Sequence, residues 1–297
     1  MGRERSFTAG GFLLVLESTD AGFLRSVDGG AAVGEVVAEQ GSEFFSPKHL
    51  ASVRFEPLTL ALDLSLEKAV YEWIGDTWRG VDTRHNGSII STNFDRKPVS
   101  EREFRDAVIT SVTIPALDGS SKDPAAFTVQ ITAEEVVTKK PSGGTVMAPG
   151  VKQKLWLPSN FRLAIDGLET KRVSRIDAFT VTRTTAADEV GERRIAEAQP
   201  SKVEFPNLRI TFAESDAETW VKWHDDFVLK GNNDDAHEKT GTLTLLAPNM
   251  QDVIGEIRFL NLGIFRLAPT PRTAGAEQPA RMVADLYCER MEFTVKI

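Results

Sequence analysis

The chain has 297 residues, 41% of them hydrophobic, and its 35 Lys and Arg residues against 43 Asp and Glu residues give a net charge of −8. This composition is typical of a globular protein, and its acidic balance argues against nucleic-acid binding, because phosphate contacts require a basic surface. The single cysteine, Cys288, excludes an internal disulfide framework or a cysteine metal cluster and favours the cytoplasm as the compartment of assembly.

The sequence predicts neither a secretory signal nor a membrane span. Residues 1–11 contain two arginines but no long apolar segment followed by a small-residue cleavage site. The longest apolar run, residues 58–66, includes Asp63 and is far shorter than the roughly 20 residues that a membrane helix needs. We therefore expect no association with a membrane.

An internal repeat with a period of about 150 residues organises the chain. Residues 53–62 align without a gap with residues 203–212, and the same offset places Trp73 over Trp223. Ordered matches continue on both sides of this block, as in the segments 12–16 over 161–165 and 87–91 over 241–245. Because chance alternation can match one strand but not an ordered series, the sequence predicts a duplicated domain.

The two copies are predicted to be separate domains joined by a linker. A segment with paired glycines and two prolines, Pro141 and Pro149, has no apolar periodicity and is typical of a loop. We assign residues 1–136 to the first β domain, 137–158 to the linker and 159–297 to the second β domain.

Each copy is predicted to be mainly β with one flanking helix. After an opening strand, the apolar residues of the next strand change faces near Pro57, and again near Pro206 in the second copy, which predicts a bulge or kink. Helical spacing then predicts helices at residues 65–79 and 215–229, with Ser65 and Ser215 as N-caps. Glu218 completes a capping-box pattern in the second helix. Further strands are expected around residues 88–93, 104–114, 126–137, 240–247, 253–266 and 280–297.

The search for a reactive site finds only weak candidates. The sharpest metal candidate groups acidic and imidazole side chains that would suit a hard cation, namely His224, Asp225, Asp226, Asp234, Asp235 and His237. A helix end followed by a solvated acidic loop explains the same residues more simply. The carboxylate pairs Asp118/Asp123 and Glu134/Glu135 are explained as exposed strand ends, and Cys288 as a buried residue without a partner base.

The tryptophans Trp73, Trp78, Trp220 and Trp223 are interpreted as core residues rather than as a stacking platform for sugars or bases. The sequence thus predicts no catalytic residue, no cofactor-binding residue, no metal site and no enzyme activity.

The order of the elements resembles the tail tube proteins of contractile phage tails and related injection systems. The segments that carry the likeness are 161–168, 205–210 and 215–223 in the second copy and 58–73 in the first. The resemblance implies a β-sandwich or barrel domain with one helix, of which six form a ring with a continuous β-barrel around a lumen. It also implies a long loop that reaches the next ring, here near residues 34–49 and 184–201.

The duplication departs from an ordinary tube subunit, which has one domain. Chains with two tube domains are known in hub-like baseplate proteins, which form trimers with pseudo-sixfold symmetry. Residues 1–150 carry 15 basic and 21 acidic side chains, whereas residues 151–297 carry 20 and 22, so the two copies differ in net charge. Such a difference is expected if the copies occupy alternating, non-equivalent positions in one ring. We therefore expect a trimer, with a hexamer of stacked domains as the rival.

The expected function is that of a structural subunit of a tail tube or of a tube–baseplate adaptor, through which DNA or an effector passes. Its expected partners are further copies of itself and neighbouring tube, sheath or baseplate proteins, with no specific nucleic-acid binding. It is expected to assemble in the cytoplasm and then to form part of a phage tail or injection particle. The alternative is a protein of two β-sandwich modules that binds a carbohydrate or another ligand.

Overall fold

The computed structural model describes residues 10–39, 46–141, 156–188, 197–271 and 279–296. The first half of the chain contains one helix, α1 (Lys68–Trp78). Its strands are β1 (Gly11–Leu16), β2 (Thr19–Leu24), β3 (Ser26–Gly29), β4 (Ala32–Ala38), β5 (Lys48–Phe55), β6 (Leu58–Leu62), β7 (His85–Thr92), β8 (Pro98–Ile114), β9 (Leu117–Asp118), β10 (Phe127–Thr132) and β11 (Glu135–Lys139).

The second half repeats this plan. Its helical segment is α2 (Ala217–His224), preceded by a 3-10 turn (Glu214–Asp216) and followed by a π-helical turn (Asp225–Leu229). Its strands are β12 (Phe161–Ile165), β13 (Val173–Ile176), β14 (Phe179–Asp188), β15 (Glu197–Glu204), β16 (Leu208–Ala213), β17 (Lys239–Leu246), β18 (Val253–Pro269) and β19 (Arg281–Val295).

Both halves build one antiparallel sheet with the same strand order. The first sheet runs β1-β7-β8-β10-β6-β3, with β2 added beside β1, and the second runs β12-β17-β18-β19-β16-β13. Alternate residues of these strands are buried, as in β6 and β16. The predicted fold class, mainly β with one flanking helix in each copy, is confirmed.

The irregularities of the two sheets also coincide. The ladder to β10 skips Thr110 of β8, and the ladder to β19 skips Phe265 at the corresponding place in β18. The hairpins β4–β5 and β14–β15 shift register at Glu35 and Thr184 respectively. Because a bulge is a specific backbone feature and not a consequence of amphipathic alternation, these matches support descent from one duplicated domain.

Pro57 and Pro206 each mark the point where the chain changes from one partner strand to another. β5 ends at Phe55 beside β4, whereas β6 begins at Leu58 and pairs with β3 and β10. β15 and β16 are separated in the same way around Pro206. The predicted kink is therefore the point where the chain leaves a hairpin and enters the main sheet.

Over the described residues, the segments predicted as long loops are mostly β-hairpins. β4 with β5, and β14 with β15, continue as paired strands towards residues 40–45 and 189–196, which lie outside the described residues. The expectation of a long loop over residues 34–49 and 184–201 is thus corrected for the described parts, which are paired strands. Backbone pairing in a hairpin satisfies the N–H and C=O groups that a loop would leave to water.

The predicted N-caps are wrong. α1 begins after Glu67, and the Ser65 hydroxyl is buried without a hydrogen-bond partner, while α2 begins after Asp216. Near α1, other hydrogen bonds replace the cap, because the Leu66 N–H donates to the Tyr71 hydroxyl and the Glu67 N–H donates to the carbonyl of Ala21, each at 2.9 Å. Glu218 does not complete a capping box, since its carboxylate accepts a hydrogen bond from Lys222 at 2.6 Å instead.

None of the helices in the described ranges has the length and apolar character required to cross a membrane. The predicted linker boundaries at residues 137 and 158 remain a prediction, since residues 142–155 lie outside the described part of the chain. Lys139 closes strand β11, and Trp156 is buried at the start of the second half.

Candidate functional site: the interface between the two halves

The two halves are joined edge to edge by a backbone ladder. β14 of the second half pairs antiparallel with the end of β8 in the first half, placing Val181 opposite Val112 and Thr180 opposite Thr113. Both valines are buried, and the two threonine hydroxyls lie 2.8 Å apart. The first sheet therefore continues directly into the hairpin of the second half.

Arg183 stabilises this junction through hydrogen bonds that its charged guanidinium donates. Its guanidinium donates to the carbonyl oxygens of Val81 at 2.7 Å and Gly80 at 3.3 Å, just after α1. Only 6% of Arg183 is exposed, and this burial lowers the pKa of its guanidinium. Because a buried charge is costly unless it is hydrogen-bonded, these backbone acceptors make the position of β14 specific.

An aromatic cluster forms the second part of the interface. Phe293 of β19 contacts Tyr71 and Trp78 of α1 at ring-centroid distances of 6.4 and 5.7 Å, and Phe127 of β10 at 5.8 Å. Helix α1 thus packs on the strand of the other half, since all four rings are buried. A cavity of about 480 Å³ opens beside this cluster and is lined by residues of both halves, including Trp78 and Lys202.

The face of each sheet that points away from the core is polar. In the first half this face carries a neutral group of Thr59, Ser111 and Gln130, in which Gln130 accepts a hydrogen bond from Ser111 at 3.2 Å. The corresponding positions in the second half carry Arg209, Arg266 and Asp285. Burial alone would raise the pKa of Asp285, but hydrogen bonds from both arginines hold this pKa below its ordinary value.

The candidate metal residues do not converge. His237 Nδ1 lies 2.6 Å from Asp234, Asp226 accepts a hydrogen bond from Asn232, and His224 lies 3.9 Å from Asp225. These contacts use the carboxylates separately within the loop, and Asp235 is exposed. Within the described ranges there is no group of three His, Cys, Asp or Glu side chains that could hold a metal ion.

The candidate carboxylate pairs are also divided among separate ion pairs. Glu134 accepts a hydrogen bond from Arg84 at 2.6 Å, whereas Glu135 accepts one from Arg105 at 3.0 Å. Asp118 accepts hydrogen bonds from Ser120, which lower its pKa, and Asp123 is exposed.

Cys288 is buried, as expected. Burial raises the pKa of its thiol to about 11, and the thiol donates weakly to backbone carbonyls of Leu260 and Arg290. A thiol with this pKa is almost entirely protonated near neutral pH, so it is a poor nucleophile.

The tryptophans occupy the core. Trp73 and Trp223 are 3% and 6% exposed, and their indole N–H groups donate to the carbonyls of Thr83 and His237 at 3.1 and 3.2 Å. Each bond ties a helix to the segment that follows it. Trp78 and Trp220 are buried as well.

Sequence reasoning did not find the interface between the halves. A signal was present in the aligned repeats, because Tyr71 and Trp78 of the first helix stand where the second helix has Val221 and Val228. Large aromatic residues in one copy only are what a contact made by that copy alone requires.

Comparisons with known proteins bear on the first half directly. Residues 17–137 match the family model described as the T4-like virus tail tube protein gp19. Comparison with curated protein sequences finds no relative. The predicted resemblance to the tail tube family is therefore confirmed for residues 17–137.

Three of the solved structures that resemble part of the chain are 11–17% identical to it in sequence. A sheath–tube complex of the extracellular contractile injection system PVC is 17% identical, with a TM-score of 0.42, covering 47% of this chain and 95% of the other. The anti-feeding prophage baseplate is 13% identical with a TM-score of 0.37, covering 50% and 98%. Hcp1 from Flavobacterium johnsoniae is 11% identical with a TM-score of 0.28, covering 46% and 95%.

Proposed function

We propose that the chain is a structural, non-enzymatic subunit of a phage-like tail tube or tube–baseplate adaptor, which forms a pseudo-sixfold ring around a lumen. The observation that carries this proposal is the antiparallel ladder between β8 and β14. It joins two tube-like domains side by side through their sheets, which is how a ring with a continuous sheet is built. The tail tube family match over residues 17–137 supports the same function.

The ring is proposed to contain three chains. Edge-to-edge pairing within one chain favours domains that alternate around one ring over domains stacked in two layers. The contact is head-to-tail, since the edge of β8 and the hairpin of β14 are different surfaces, and repeated head-to-tail contacts that close form rings. Three chains with two domains each give six positions.

The helix-free face of the sheet is proposed to line the lumen. In the first half this face carries the neutral group of Thr59, Ser111 and Gln130, and the corresponding positions of the second half carry Arg209 and Arg266 in ion pairs with Asp285. Neutral polar groups, and arginines that are paired with a carboxylate, present no apolar surface to hold an unfolded effector. Assembly is proposed to take place in the cytoplasm, followed by association with neighbouring tube, sheath or baseplate proteins.

The mass of the assembled particle tests the proposal. Mass photometry and native mass spectrometry should give a particle of three 32.7 kDa chains, and negative-stain images should give closed rings. A particle of six chains would favour stacked domains and contradict the trimer. A protein that stays monomeric at every concentration, alone and with preformed tube as a template, would contradict the ring altogether.

The alternative of a ligand-binding protein with two modules has less support. Trp73 and Trp223, two of the four tryptophans considered for such contacts, are buried and donate hydrogen bonds to backbone carbonyls, and Trp78 and Trp220 are buried as well. They present no open ring face to a sugar.

A further inference from the structure

We infer that residues 266–268 at the edge of β18 pair with residues 31–33, at the start of β4, in a second copy of this chain, repeating between chains the contact that joins the two halves. This inference rests on the proposed ring and adds to it the surface, the register and the order of the domains. It assigns the hairpin β4–β5 of one chain to the second half of the next.

The corresponding residues follow from the two ladders. The ladder to β10 places Val112 of β8 opposite Val129, and the ladder to β19 places Leu267 of β18 opposite Ala284, at the same distance from the shared bulge. The hairpins correspond through their own shared bulge, so that Thr182 of β14 matches Val33 of β4. The pairing of residues 180–182 with 111–113 therefore transfers to residues 31–33 with 266–268. Gly30, with a φ of +80°, does not continue the strand.

No described strand of the same chain pairs with either surface. Among the described strands, β4 and β5 pair only with each other, and β18 pairs with β17 only as far as Leu262. The backbone N–H of Thr270 donates to Arg281 of β19, and alternation along a strand then turns the backbone groups of Leu267 towards the open side. A row of open N–H and C=O groups is a template for another strand.

The side chains at the proposed contact fit each other in size. Where the internal ladder has its valine pair, the proposed contact has Leu267 and Ala32, a large residue facing a small one. The threonine pair is replaced by Ala268 and Ala31, so neither hydroxyl is left without its partner. Leu267 is half-buried and Ala32 exposed in the single chain, whereas their internal counterparts are buried. Pro269 ends the ladder, because it has no N–H to donate.

Helix α2 supplies a second, independent observation. On α1, Tyr71 and Trp78 are 2% exposed because they pack on β19 of the other half. The residues at the same positions of α2, Val221 and Val228, are 39% and 40% exposed. They form an apolar patch on the side where the internal geometry places the neighbouring strand, which would be β11 of the second copy.

The two kinds of contact are not chemically equal. Gly34 occupies the position in β4 that Arg183 occupies in β14, so the proposed contact between chains lacks the buried guanidinium that binds the segment after α1. It also has valines in place of the tyrosine and tryptophan. The internal contact is therefore the stronger one, and the ring should dissociate into whole chains before the halves of a chain separate.

Disulfide cross-linking tests the register directly. Ala31 and Ala268 would form a non-hydrogen-bonded pair, with Cα atoms about 4.5 Å apart, which is within the range that a disulfide spans. In a Cys288→Ala background, the double variant Ala31→Cys/Ala268→Cys should form chains linked to one another under mild oxidation, up to a closed trimer in denaturing gels without reductant. The matched control Ala38→Cys/Ala268→Cys places the thiol at the other end of β4 and should not cross-link.

The helix patch is tested with Val228→Asp, which should abolish particles in mass photometry while leaving the melting temperature of the single chain unchanged. Met250→Asp, in the turn before β18, is the control and should assemble normally. Rings that form without the predicted cross-link, and that tolerate Val228→Asp, would overturn this inference but leave the proposed ring intact. Failure of the unaltered chain to form any particle, with or without a tube template, would overturn both.

Discussion

Removing the ring of Phe293 should weaken the interface between the halves and the stability of the whole chain. The side chain is 2% exposed and lies within 6.4 Å, ring centre to ring centre, of Tyr71, Trp78 and Phe127. A Phe→Ala change in such a core typically costs about 3–5 kcal/mol, from lost burial and the cavity left behind. Because three aromatic partners lose contact together, we expect Phe293→Ala to fall in the upper part of that range.

Urea unfolding followed by tryptophan fluorescence measures this change as a free energy of unfolding. Phe265→Ala is the matched control, since Phe265 lies on the neighbouring strand β18 and is 46% exposed. It should cost less than about 1 kcal/mol, as surface substitutions usually do. If Phe293→Ala cost no more than Phe265→Ala, the packing of α1 on β19 would be refuted.

Three further predictions follow from the described contacts. Trp73→Ala and Trp223→Ala should each lower the free energy of unfolding by about 3–5 kcal/mol in urea titrations, and an unchanged stability would contradict their core position. Cys288, with its pKa raised to about 11, should resist iodoacetamide at pH 8 in the folded chain and react after unfolding, so rapid labelling of folded protein would contradict its burial. Asp285→Asn should lower the free energy of unfolding by about 1.5–3 kcal/mol at pH 7. Because the pKa of Asp285 is lowered in the folded chain, its ion pairs stabilise the fold above about pH 4, and this stabilisation is lost as the pH falls through the lowered pKa. The gap between the unaltered chain and Asp285→Asn should accordingly narrow in acid, and a gap independent of pH would contradict the ion pairs.

The duplication was accessible from the sequence because a repeat is found by comparing the chain with itself. The positions of Trp73 and Trp223 after matching strands indicated two equivalent helices, and the polar and apolar alternation of β6 and β16 indicated which residues are buried. These signals are local, so they do not depend on knowing which strands become neighbours.

The helix starts were predicted less well because capping competes with tertiary contacts. Ser65 and Ser215 fit the residue preference for an N-cap, but at the start of α1 the Glu67 N–H donates to the carbonyl of Ala21 in β2, and the Leu66 N–H donates to the Tyr71 hydroxyl. The long loops were also misjudged, since residues such as Val36 and Leu50 are exposed in a hairpin that pairs by its backbone.

The sequence by itself determined the duplicated β fold, the helix in each copy and the absence of a recognisable catalytic motif, because periodicity and spacing encode these locally. Only the tertiary structure decided that β14 joins β8 and that α1 packs on β19. Strand pairing is made by backbone groups that every residue carries, so the sequence does not name the partner strand. Arg183 and Trp78 contact the other half of the chain, whereas their counterparts Gly34 and Val228 do not, and this difference can be explained only from the contact between the halves.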